Sequence, residues 1–122
     1  MRVLPLGSVQ RTRITQYGSA RAESARIADG QGEAHVHLIT FEPGGVIGPH
    51  EAGFGQLLVV LDGTGWVAGA DGHRVPLASG DVAFIGRGEL HSKGSDQGAT
   101  ALMIQVRELE AAPPPGHDLD AT

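Results

Sequence analysis

The chain reads as all-β, a sandwich or barrel built from short strands. Three observations predict this. Apolar and polar residues alternate in short runs, the period of a half-buried strand. Turn residues separate nearly all of these runs. Nineteen glycines and seven prolines are spread over 122 residues without a fixed period, which fits many tight turns better than a collagen repeat or a linker.

In chain order, Val9 to Gln16 alternates with β-branched residues but few apolar ones, as an edge strand does. Ala20 to Asp29 has the propensity for a short helix, but the Gly30-Gln31-Gly32 turn after it and the β-rich surroundings favour a poor strand. Stronger strand patterns follow at Ala34 to Phe41, Val46 to His50, Gln56 to Leu61, Gly65 to Gly69, His73 to Leu77, Val82 to Ile85, Leu90 to Lys93 and Thr100 to Arg107. Pro43-Gly44-Gly45, Asp62-Gly63-Thr64-Gly65, Ala70-Asp71-Gly72, Ser79-Gly80-Asp81 and Gly86-Arg87-Gly88 supply the bends. Both faces of Gln56 to Leu61 are apolar: Leu58 and Val60 share one, and Leu57, Val59 and Leu61 share the other. Such a strand needs cover on both sides, and a homodimer or a second sheet would provide it.

The length suits one domain, expected over residues 1–110, with the proline-rich stretch 111–122 expected to be a disordered tail. Nine basic residues against fourteen acidic ones give a net charge of −5, which leaves no cationic face for nucleic acid. The absence of cysteine excludes disulfides, thiolate metal sites and cysteine nucleophiles. The N-terminal residues lack a continuous apolar signal core, and the longest apolar run, Leu57 to Leu61, is too short to span a bilayer. A cytoplasmic protein without a membrane partner is therefore expected. No phosphate-binding glycine loop, Gly-x-Ser-x-Gly elbow or His-Glu-x-x-His helix is present.

Two histidines stand out. His50 precedes the apolar strand from Gln56, and His91 closes a later glycine-punctuated one, an order that lets an antiparallel barrel point both imidazoles into one cavity. The surrounding spacing resembles the cupin superfamily. Gly44, His50, Ala52, Gln56 and Gly63 fall on the positions of its first motif, and Gly80, Gly86, Gly88, His91 and Ser95 on those of its second. The match covers Gly44 to Ser95, and the flanking strands extend it to about Ile14 and Leu109.

The resemblance implies a double-stranded β-helix, a jelly-roll barrel that often forms homodimers and carries a metal or a small ligand at its mouth. Carried over residue by residue, the family's ligand set leaves His50, Gln56 and His91 to hold a divalent transition metal (Fe, Mn, Ni, Cu or Zn). Ala52 cannot ligate, and the amide of Gln56 is a weaker donor than a carboxylate. Glu89, two residues before His91, is a candidate for the missing anion, though a solvent-facing side chain is the better expectation. Glu51 has the opposite parity to His50 and should face out. His35 and His37 share a face with Ile39 and Phe41 and could enter the cavity or remain local strand residues. His73 and His117 are expected in solvent.

Two functions follow from the resemblance and these residues. The first is a cupin that binds a small molecule around a metal, with oxygenase-like or isomerase-like activity. The second is a metal-free, non-catalytic module in which the imidazoles and Gln56 bind an anionic or polar ligand. An interaction protein using the outer face of Leu57, Val59 and Leu61 is the weakest of the readings.

Overall fold

The computed structural model describes residues 1–112. Among these residues the order is β1 (Arg2–Pro5), a 3-10 turn (Leu6–Ser8), β2 (Thr12–Arg13), β3 (Glu23–Ser24), β4 (Ala28–Phe41), β5 (Gly45–Glu51), β6 (Gly55–Ala68), β7 (Arg74–Ala78), β8 (Asp81–Ile85), β9 (Leu90–Ser95) and β10 (Ala99–Ala111).

The long strand β6 organises the molecule. Its first half pairs with β8 and β10, in a layer ordered β1-β8-β6-β10-β4. Its second half, Thr64 to Ala68, pairs with β7 and β9, and β9 pairs in turn with β5. All of these pairings are antiparallel, and β2 with β3 forms a separate small hairpin. The expected hairpin turn Asp62–Gly65 is thus a bend within one strand. The register skips Leu61 opposite Thr100 and Ala101, a bulge that turns the strand into the other layer. Gly63 completes the bend at φ 78°, where an added Cβ would collide with the Gly98 carbonyl. The result is all-β, a double-stranded β-helix of two facing layers.

Other expectations are corrected by pairing. Val9 to Gln16 contributes only the two residues of β2, and Ala20 to Asp29 forms no helix: β3 and the start of β4 take that stretch. Gly30 to Gly32 is not a turn but runs on inside β4: Gly30 and Gln31 pair with Leu109 and Glu108, and the bulge falls at Gly32 and Glu33, where the register shifts between Val106 and Glu108. Gly86 to Gly88 links β8 to β9, which are not paired, so the turn carries the chain between layers. Strand β1, too short to show alternation, exists because β8 offers it an edge. Ala111 closes β10 and Ala112 donates its N–H to the Ile27 carbonyl at 3.2 Å, so these two residues are tied down; residues 113–122 of the expected tail lie outside the described residues.

Leu58, Val60, Val67, Leu77, Ala83, Ala101 and Met103 form the core between the layers. Register fixes which side chains share that inner side, because directly opposed residues on antiparallel strands point the same way. One inner row runs Ile85, Gln56, Gln105, His35 across β8, β6, β10 and β4; the next runs Ala83, Leu58, Met103, His37. On the outer side of the second layer, the Trp66 ring lies beneath the Arg74 guanidinium at 3.9 Å. Among the described residues no helix is long and apolar enough to cross a membrane.

Candidate functional site

His50 and His91 meet because β5 and β9 pair. They are direct register partners, with ring centroids 4.5 Å apart and planes tilted by 55°. The register shifts between Ile47 and His50, where Gly48 and Pro49 sit. A bulge there re-aims the following side chain, and a proline is tolerated because, among the described residues, β5 pairs only with β9. His50 Nδ1 lies 2.8 Å from the Gly48 carbonyl. A carbonyl only accepts, so Nδ1 carries the proton and Nε2 keeps a lone pair. His50 is exposed, whereas His91 has no solvent-accessible surface.

The third member is Lys93, two residues after His91 on β9 and therefore on the same face. It is 1% exposed and pairs in register with the core residue Val67. Its Nζ donates to Gln56 Oε1 at 2.9 Å and contacts His91 Nε2 at 3.0 Å. An ammonium has donors and no acceptor, so His91 must accept at Nε2 and carry its proton on Nδ1, which faces the Glu89 carbonyl at 3.3 Å. A continuous polar chain thus crosses the barrel interior, from His50 through His91 and Lys93 to Gln56.

Burial sets the electrostatics of this chain. Removal from water lowers the Lys93 amine to about 8, which still leaves it mostly protonated near neutrality. Burial also depresses His91, and the positive charge of Lys93 adds to the effect. His91 is therefore held neutral, as its acceptor role requires.

The remaining candidates lie elsewhere. Glu89 turns to the N-terminus: its oxygens accept from the Met1 ammonium at 2.9 and 2.7 Å, and Oε1 also accepts from the Gly86 N–H at 2.9 Å. Burial alone would raise its pKa, but these bonds outweigh burial and lower it. His35 and His37 stand on the inner face of β4 yet are exposed; His35 contacts Glu33 at 2.6 Å and stacks on Phe54 at 5.8 Å. Glu51 and His73 are exposed as expected, and His117 lies outside the described residues.

A family model described as "Cupin" matches residues 18–121. The chain belongs to the cupins. Solved structures place the cupin fold on most of its length. A cupin superfamily protein from Desulfitobacterium hafniense is 16% identical with a TM-score of 0.57, over 88% of this chain and 100% of that one. A cupin-like protein from Thermotoga maritima is 23% identical with a TM-score of 0.58, over 70% and 68%. A cupin family protein with a double-stranded β-helix fold from Methanocaldococcus jannaschii is 8% identical with a TM-score of 0.59, over 81% and 90%. No curated protein matches the chain.

Cupins often bind divalent metals, which makes the donor set of this cupin the deciding chemistry. A metal held by His50, Gln56 and His91 would need the lone pairs of His91 Nε2 and Gln56 Oε1, and both already face the Lys93 ammonium. A positive charge thus stands where the metal's charge would be, and Ala52, buried at a ligand position, offers nothing. Among the described residues no three His, Cys, Asp or Glu side chains cluster as a metal site. The residues present do not fit a resident divalent metal.

Sequence reasoning named His50, Gln56 and His91 and missed Lys93, the residue that joins two of them. Its signal was its spacing of two from His91 on a strand, which places both side chains on one face.

Proposed function

We propose that this cupin is a metal-independent binding module whose ligand, a small anionic or polar molecule, docks at the barrel mouth against His50. The observation that carries this reading is the contact of Lys93 Nζ with both Gln56 Oε1 and His91 Nε2. That contact pairs the buried Gln56 Oε1 and His91 Nε2 from within the chain and leaves His50 as the member of the polar chain open to solvent. Its Nε2, left free by the Nδ1–H bond to the Gly48 carbonyl, accepts from a ligand hydroxyl or acid. His35 and His37 are two further exposed imidazoles, on the inner face of the opposite layer. An oxygenase-like reaction would require open positions on a bound metal, and this donor set lends it no support. Isomerase-like proton transfer would fall to His50.

Calorimetric titration of chelator-treated protein with a panel of small carboxylates, hydroxy acids and sugars tests the reading. Binding should survive chelator and weaken in His50→Ala. Binding that appears only after Fe, Mn, Ni, Cu or Zn is added back would sink it.

A further inference from the structure

We infer that Lys93 is a built-in cation that excludes divalent metal from the barrel of this cupin, and that removing its charge opens a metal site on residues already in place. Its Nζ touches the two buried atoms that would ligate, 2.9 Å from Gln56 Oε1 and 3.0 Å from His91 Nε2. The third donor needs little rearrangement. The His50 ring lies against His91 with centroids 4.5 Å apart, and its Nδ1–H bond to Gly48 leaves Nε2 with a free lone pair. The His91 imidazole and the Gln56 amide oxygen therefore hold the Lys93 amine, with the His50 ring against His91, and the chain places its internal charge where a metal would otherwise bring one.

The arrangement accounts for the weakened ligand set. With an ammonium in the interior, a carboxylate at position 56 would make a buried ion pair, and a second imidazole at position 52 would have no cation to share. Gln56 and Ala52 instead suit a site with one fixed positive charge: the amide accepts one N–H, and the methyl fills space at 3% exposure. The same side chain also lies on the inner row of the second layer, opposite Val67 and in register with Ile47. Its alkyl stem therefore packs among apolar neighbours while its head sits in the polar chain.

The test is a metal titration of wild type, Lys93→Met, Lys93→Glu and the double variant Lys93→Glu/His91→Ala with Zn²⁺ and Ni²⁺, read by calorimetry and by metal content after desalting. Lys93→Met removes the charge at similar volume, and Lys93→Glu also supplies the missing anion. Lys93→Glu should bind about 10- to 100-fold more tightly than wild type, with Lys93→Met between them, and the double variant should lose the gain. Circular dichroism establishes that each variant is folded. A measurement on wild type needs no variant: the His91 imidazole nitrogen resonances should stay unmoved while Zn²⁺ is added at a level that shifts them in Lys93→Glu or, if the variants do not fold, at any level up to equimolar excess. Zn²⁺ shifting the wild-type His91 resonances, or wild type retaining stoichiometric metal, overturns the inference. So does a folded Lys93→Glu that binds no better than wild type. Because the readout is metal affinity, an unsuccessful ligand screen would count against the binding reading alone.

Discussion

His50 and His91 face each other across β5 and β9 with ring centroids 4.5 Å apart, yet one ring is open to water and the other is completely enclosed. Equal in the chain's motif pattern, they are unequal in energetic role. His91→Ala strips the buried Lys93 ammonium of one of its two partners and should cost about 3 kcal/mol or more. His50→Ala should cost less than about 1 kcal/mol while removing the exposed imidazole from the mouth. Urea unfolding of the two variants checks this, and equal losses would show that His50 is as structural as His91.

Lys93 should also leave a mark on the pH dependence of stability. Its folded value of about 8 lies below the ordinary lysine value of 10.5, so between these values the unfolded chain binds more protons than the folded one. Stability from this group therefore rises as pH increases from about 8 to 10.5, and the burial penalty is in full force below 8. The shift corresponds to about 3 kcal/mol. Lys93→Met should lack that rise, so the stability of wild type relative to the variant should increase from pH 7 to pH 10.5. Parallel urea midpoints across that range would contradict a charged, buried Lys93.

Gly94, beside Lys93, shows how tightly the second layer is closed. A Cβ there would sit 2.5 Å from the Gly45 carbonyl oxygen and 2.7 Å from Trp66 Cζ2. Gly94→Ala should cost about 2 kcal/mol or more by forcing the Trp66 ring and strand β5 apart. Gly48→Ala, with nothing within 4 Å of the added carbon, should stay within about 1 kcal/mol. Thermal melts compare them directly.

The outer face of the first layer carries the expected homodimer as a proposal. Val36 and Leu38 are 63% and 66% exposed, and register aligns them with Ile104 and Leu57 and with Leu102 and Val59 on the neighbouring strands. Leu57 is 8% exposed, so part of this face is already covered within the chain, but Leu61 at 51% and the β4 side are open. Among the described residues β4 pairs only with β10. An open edge beside apolar surface favours a second copy over solvent. Light scattering should give a dimer for wild type and a monomer for Val36→Lys/Leu38→Lys; a monomeric wild type would remove the proposal.

Most of the strands were legible because their alternation is a local property of the chain, and Gly44, His50, Gly80 and His91 lie at motif spacing that marks the fold. Boundaries were less so. Asp62 to Gly65 has the composition of a hairpin turn, but each half of β6 finds partners in a different layer, and pairing outweighs turn propensity. Gly30 to Gly32 likewise stays in β4 because β10 continues alongside it to Ala111. Strand β1 has no local signature and depends on the edge of β8.

Period-two patterning, glycine placement and the positions of two histidines were enough to specify an all-β cupin with imidazoles converging inside it. The identity of the charge at their centre was decided by three-dimensional pairing. Lys93 meets Gln56 across 37 residues of sequence, through β9 and β6 folding against each other, and no local pattern encodes a contact between strands so distant in the chain. Burial then sets the chemistry of that contact, since the same amine and imidazole in water would neither need one another nor resist a metal.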